Sequence, residues 1–187
     1  MPVHSSKKEK KEETARAKKR VAILVEDQYQ VLEVWYPLLR LQEAGIAVTT
    51  IGTGTKEIYT SKEGYPVKAD AAIDKVNVTD FDGVIIPGGY APDILRRHER
   101  VVNFVKRLYI DGRAVAAICH GGWLLVSAGV AKGHKLTCFF AIKDDLIAAG
   151  GRYVDQEVVV DKNLITSRKP EDLPRFVEEL IKFVEKG

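Results

Sequence analysis

Short, uninterrupted apolar runs, each followed by a stretch with helical spacing, limit what this chain can fold into more than any other feature. Val21-Ala22-Ile23-Leu24-Val25, Gly83-Val84-Ile85-Ile86 and Ala114-Val115-Ala116-Ala117-Ile118 show no polar alternation. A strand with one wet face alternates apolar and polar residues, so these runs read as strands covered on both faces. Between them, Val31, Leu32, Trp35, Leu38, Leu39 and Leu41 recur at helical intervals up to Gly45, with Pro37 expected to bend the helix or to mark its start. Ile46 to Ile51 reads as a second strand, and residues 52–68 as a hairpin excursion around Tyr59 and Val67. Val101, Val102, Val105 and Leu108 mark a helix that ends at Gly112, and Leu146 to Ala149 close a short one at Gly150. Val158–Val160 and Leu164–Thr166 flank Asp161-Lys162-Asn163 as a hairpin, and Phe176, Leu180, Ile181 and Val184 stripe a last helix. Buried strands alternating with helices give an α/β fold, a mainly parallel sheet with helices on both faces.

The remaining composition narrows the class. The chain has 187 residues, 45% hydrophobic and 29% charged, which suits one globular domain with an extension. No apolar run reaches the ~20 residues of a membrane helix. Two cysteines, Cys119 and Cys138, exclude a disulfide-stapled scaffold. The first twenty residues lack the apolar core of a signal peptide, so the expected location is cytoplasmic. Those residues carry eight Lys/Arg against Glu9, Glu12 and Glu13, a net +5, so the remainder, within a total of +3, carries −2. Residues 1–20 therefore read as a basic extension and 21–187 as the domain. The extension reads as a solvated segment, with a weak hold on nucleic acid as the alternative. Ser6 and Glu9 have capping-box spacing for a short helix.

Chemistry in such a sheet gathers at the carboxyl ends of its strands. Ala117-Ile118-Cys119-His120-Gly121-Gly122 sets a thiol at a tight strand-to-helix junction, a nucleophile elbow with cysteine in place of serine. Its small neighbours, Gly121 among them, leave room for the turn. The helix N-terminus is expected to lower the thiol pKa below ~8.5. Cys138, within Leu136-Thr137-Cys138-Phe139-Phe140, reads as packing, and the histidines show no metal-ligand spacing with the cysteines. His120 is either the acid–base partner or a ring directed elsewhere, since adjacency does not ensure contact. Glu33 and Asp93 follow strands whose ends reach the same sheet edge, and each is a candidate carboxyl for the thiol or its histidine. Gly88 and Gly89 of Pro87-Gly88-Gly89 offer backbone N–H groups for an oxyanion hole with the Cys119–His120 backbone.

Taken together, Ala-Ile-Cys-His-Gly after a strand, Pro-Gly-Gly-x-Ala-Pro upstream, Ile142-Lys143-Asp144-Asp145 and Thr166-Ser167-Arg168-Lys169-Pro170-Glu171-Asp172-Leu173-Pro174 resemble the PfpI-type intracellular protease family of the ThiJ/PfpI superfamily, from about Val21 to Val184. The resemblance implies a flavodoxin-like three-layer sandwich with a nucleophile elbow. It implies Cys119 as nucleophile, His120 beside it and Glu33 against the thiol. It also implies homodimers, or trimers of dimers, in which a neighbouring subunit lends a carboxylate to the triad. That position is Asp93 here, one methylene shorter than the family glutamate. Phe139 stands where such peptidases often carry a tyrosine, and Gln30 where an acidic residue is usual.

Three activities fit these residues. The first is a cysteine hydrolase of peptide or amide bonds, with His120 oriented by Asp93. The second is a cofactor-independent glyoxalase or deglycase acting on 2-oxoaldehydes or their adducts, with Glu33 moving the proton. The third is a redox-sensing or chaperone-like stress protein whose Cys119 is oxidised reversibly. None needs a cofactor or a metal.

Overall fold

The computed structural model describes residues 19–187, so the short helix expected at Ser6–Glu9 lies outside the described residues. Seven strands form one sheet in the order β10-β11-β7-β6-β1-β2-β5. They are β1 (Arg20–Val25), β2 (Ala47–Gly52), β5 (Ala71–Ala72), β6 (Gly83–Ile86), β7 (Ala114–Ile118), β10 (Val158–Asp161) and β11 (Leu164–Ser167). Every pairing is parallel except β10 with β11, the expected hairpin. Val21 to Val25 and Ala114 to Ile118 are buried along their whole length, as uninterrupted apolar runs require.

Two helices, α1 (Val31–Glu43) and α6 (Leu173–Lys186), pack together on one face of the sheet. On the other face lie α2 (Ala91–Leu95), α3 (Glu99–Ile110) and α4 (Gly122–Ala128). This is the flavodoxin-like sandwich. Helix α1 starts at Val31 and runs through Pro37 without ending. Pro37 has no N–H to give the Glu33 carbonyl one turn earlier, which removes one rung of the helix. The excursion is also present, as β3 (Ile58–Thr60) paired with β4 (Pro66–Lys68), and a two-residue pair joins β8 (Lys135–Leu136) to β9 (Arg152–Tyr153). Helix α5 (Lys143–Ala148) completes the set. Among the described residues no helix is long and apolar enough to cross a membrane.

Strand order fixes where loops meet. From β1 the chain first builds β2 on one side and then crosses to β6 on the other. The loops leaving β1 and β6 therefore diverge from neighbouring strand ends, which opens a crevice at the switch point. The loop after β7 enters beside them.

Candidate active site

Cys119 follows β7 directly and has φ of 59°. That left-handed conformation is strained for a side chain with a Cβ, and the surrounding packing must hold it. A short 3-10 turn, Cys119–Gly121, leads into α4. Gly121 packs so tightly on Ile86 that a Cβ would collide with its carbonyl oxygen. The elbow is thus clamped between two strands.

Glu33 sits in the first turn of α1 and is 0% exposed. Gln30 caps that helix, its side-chain oxygen accepting the Glu33 N–H at 3.0 Å. The glutamine thus acts as a cap and contributes no second carboxylate. Glu33 Oε2 accepts the Gly88 N–H at 2.6 Å. Burial pushes the carboxyl up to about 7, while the Gly88 bond and the Cys119 thiol pull against that shift. Its Oε1 is buried with no regular hydrogen-bond partner, an unused acceptor in the cleft that holds the sulfur.

The thiol departs from the sequence-based expectation. Burial first, and then the Glu33 charge, push Cys119 up to about 12. The backbone N–H groups of His120 and Gly89 pull it down, but by less. Desolvation wins because Cys119 is only 8% exposed. At neutral pH the sulfur therefore keeps its proton, beside a carboxyl poised between its two forms.

Two glycines make this packing possible. A Cβ on Gly88 would lie 2.7 Å from both the Cys119 Cβ and Glu33 Oε2. Gly89 has φ of 78°, and its Cβ would strike the backbone of Gln28–Gln30. Its loop is zipped to that of β1: Tyr90 N–H donates to Gln28 O at 2.8 Å and Gln30 N–H to Gly88 O at 3.2 Å. Gly88→Ala is expected to cost about 1–3 kcal/mol by overpacking. Chemical denaturation would measure this, and an unchanged midpoint would contradict the packing described.

His120 Nδ1 lies 3.3 Å from Cys119 Sγ, so these neighbours do touch. The imidazole is flanked by the rings of Trp123 and Phe139, at 5.0 and 5.1 Å between centroids. Burial, followed by the Lys62 charge, holds its pKa below the ordinary value, which favours neutral imidazole at pH 7. Asp93 does not join it. Within this chain Asp93 lies in α2, pairs with Arg97 one turn later and lines a neighbouring hollow. Arg168 is likewise occupied, bridging Asp155 at 2.7 Å and Asp172 at 2.9 Å.

Cys119, Glu33, His120 and Gly89 line one cleft of about 360 Å³. Gln30, Lys62, Tyr90, Trp123, Phe139 and Pro170 complete its lining. That volume falls at the small end of ligand sites. Sequence reasoning did not single out Lys62, Tyr90 or Pro170 as lining residues; Tyr90 and Pro170 lie within the quoted motifs, whereas Lys62 lies in none. Among the described residues no group of three or more His, Cys, Asp or Glu side chains is arranged to hold a metal ion.

The family model described as the DJ-1/PfpI family matches residues 19–183. The chain belongs to the DJ-1/PfpI family. Deglycase PfpI from Pyrococcus furiosus is 41% identical over 165 residues, covering 88% of this chain and 99% of that protein. Putative cysteine protease YraA from Bacillus subtilis is 42% identical over 161 residues, covering 86% of this chain and 95% of that one. With relatives so similar over nearly their full lengths, this DJ-1/PfpI chain is an enzyme. A crystal structure of a two-domain protein with DJ-1/ThiJ/PfpI-like and ferritin-like domains, from Anabaena variabilis, superposes with a TM-score of 0.88 at 39% identity. That match covers 90% of this chain and 48% of the two-domain protein, so this chain spans about half of it.

Proposed function

We propose that this protein is a cofactor-independent glyoxalase and deglycase, converting 2-oxoaldehydes or their adducts to 2-hydroxy acids through Cys119. One observation carries the reading: Cys119 and Glu33 meet within a single chain, whereas among the described residues no carboxylate is bonded to His120. The Pyrococcus furiosus relative is likewise named a deglycase.

The chemistry follows from proton ownership. The Glu33 carboxylate takes the thiol proton as sulfur bonds to the aldehyde carbon, and the carbonyl oxygen takes the electron pair and then the proton. Backbone N–H groups of Gly89 and His120 stabilise that oxygen as charge develops. Glu33 next accepts the hydrogen of the former aldehyde carbon as a proton and returns it to the adjacent carbon, passing through an enediol. The product is a thioester of a 2-hydroxy acid. Water adds to it, the carbon–sulfur bond breaks and the thiol regains its proton. With an amine adduct, the carbon–nitrogen bond breaks as the carbon–sulfur bond forms, and the amine leaves with a proton. A base with a pKa near the working pH suits repeated transfers in both directions.

This reading is tested by methylglyoxal consumption with lactate detection. Lactate forming in step with consumption supports it; consumption without lactate, or no turnover by folded protein, overturns it. The peptidase reading retains the 3.3 Å contact between Cys119 and His120. It requires a second copy of the chain to supply a carboxylate, with Asp93 as the donor. Asp93→Asn separates the two activities. Methylglyoxal turnover should stay within about twofold, as for a surface substitution, while any peptide hydrolysis should collapse. Equal loss of both would contradict the assignment. Reversible redox sensing fits less well, because a buried thiol with a raised pKa holds little of the thiolate that peroxide attacks.

A further inference from the structure

Among the described residues lining the cleft, Lys62 is the one permanent cation. The neighbouring walls are Tyr90, Trp123, Phe139 and Pro170, and Glu33 and Cys119 line the same cleft. Lys62 lies outside every motif of the elbow and reaches the cleft only because the β3–β4 hairpin folds over it. The hairpin turn is firmly tied. Lys62 N–H donates to Tyr29 O at 3.0 Å, on the loop that leads to Glu33. Ser61, 2% exposed, accepts the N–H groups of Glu63 and Tyr65 at 3.2 and 3.0 Å.

The ammonium is not consumed by structure. Its ion partner, Glu63 at 3.4 Å, is its chain neighbour, and both side chains are substantially exposed, 50% and 38%. Glu63 also faces the N-terminus of α1, its Oε2 accepting the Val31 N–H at 3.3 Å. A solvent-exposed pair of this kind contributes little, so Lys62 can exchange it for an anion in the cleft at small cost. Its charge reaches inward as well, acting on both Glu33 and His120.

We infer that Lys62 forms an anion subsite that selects substrates carrying a carboxylate beyond the reacting carbonyl, such as 2-oxoaldehyde adducts of small carboxylated thiols or amines. This deepens the proposed deglycase reading and rests on it for the reaction, though not for the subsite. A largely apolar cleft that holds both a nucleophile and a single cation orients a molecule by two groups at once. The cation also offsets the repulsion that Glu33 exerts on an incoming anion.

Alkylation of Cys119 tests the subsite without assuming any reaction. Iodoacetate and iodoacetamide deliver the same methylene to the same sulfur and differ in having a carboxylate or an amide. The ratio of their rates, read from the mass of the Cys119 peptide and normalised to glutathione, cancels any change in thiolate fraction. Lys62→Gln is expected to lower this ratio about fivefold, the scale of an exposed ion pair, and Lys62→Arg to retain it. High salt should reduce the wild-type ratio toward that of Lys62→Gln. Equal ratios in wild type and Lys62→Gln overturn the proposal. In parallel, kcat/KM is measured for the methylglyoxal hemithioacetals of N-acetylcysteine and of its amide. A preference for the acid that Lys62→Gln loses supports the substrate class, and an undiminished preference overturns it. Wild-type protein that turns over neither adduct refutes the deglycase reading, while the alkylation ratio still decides Lys62.

Discussion

Cys119→Ser is expected to lower kcat/KM for methylglyoxal by about 10³-fold or more, the scale seen when a covalent nucleophile is removed. The substitution is nearly isosteric, and serine inherits the same backbone at φ of 59°. What changes is acidity. Glu33, with a pKa of about 7, is a competent base for a thiol in this cleft but a poor one for an alkoxide-forming hydroxyl. A thermal midpoint close to wild type would show that the elbow still folds. Turnover within tenfold of wild type in such a folded variant would remove Cys119 from the mechanism. The pH profile of the wild type provides a second check on the same chemistry. The base must be ionised, so kcat/KM should rise with pH through an inflection near 7.

Glu33→Gln should separate stability from activity. Folding raises the pKa of this carboxyl from 4.5 to about 7. Below pH 4.5 the group is protonated in both states, and its contribution to stability is fully present. Between 4.5 and 7 the unfolded chain ionises while the folded protein holds its proton, so stability falls as pH rises. The loss levels off above 7 and amounts to about 3 kcal/mol, at 1.4 kcal/mol per pKa unit. The glutamine amide keeps an acceptor for the Gly88 N–H and carries no charge to bury. At pH 8 the variant should therefore unfold at a higher denaturant concentration than wild type, and its midpoint should lose the fall between pH 4.5 and 7 that Glu33 causes. Activity should fall by about 10²–10⁴-fold, as for loss of a general base. A variant less stable than wild type at pH 8 would mean that the carboxylate is better solvated or better paired than its burial implies. An active variant would transfer the proton role to His120.

A buried carboxylate that weakens the fold at neutral pH is consistent with a site held for chemistry. The same tension appears in the strained Cys119 backbone and in glycines that tolerate no Cβ. Helix α1 offsets part of the cost, because its N-terminus and the Gln30 cap favour negative charge at Glu33.

Sheet, helices and elbow were legible in the chain because their causes are local. Val21–Val25 and Ala114–Ile118 advertise two covered faces by having no polar alternation. Cys119 stands out because a tight strand-to-helix turn needs the small residues on either side of it. The Pro87-Gly88-Gly89 signal was also local, although its meaning emerged only when Gly88 was found wedged between Cys119 and Glu33. Three features depended on the fold itself. Asp93 is bound to Arg97 in the turn that follows α2, and no pattern of spacing reveals which way such a side chain leans. The thiol keeps its proton because burial outweighs two backbone N–H groups, a balance set by how much water the packed loops exclude. Lys62 arrives from a hairpin whose own residues hold no motif, tied to the loop after β1 by backbone hydrogen bonds from Gln28 to Thr60 and from Lys62 to Tyr29. Periodicity and turn chemistry act over a few neighbours and so determined the elements. Charge, proton ownership and cleft lining depend on groups far apart in the chain, and only the tertiary structure decided them.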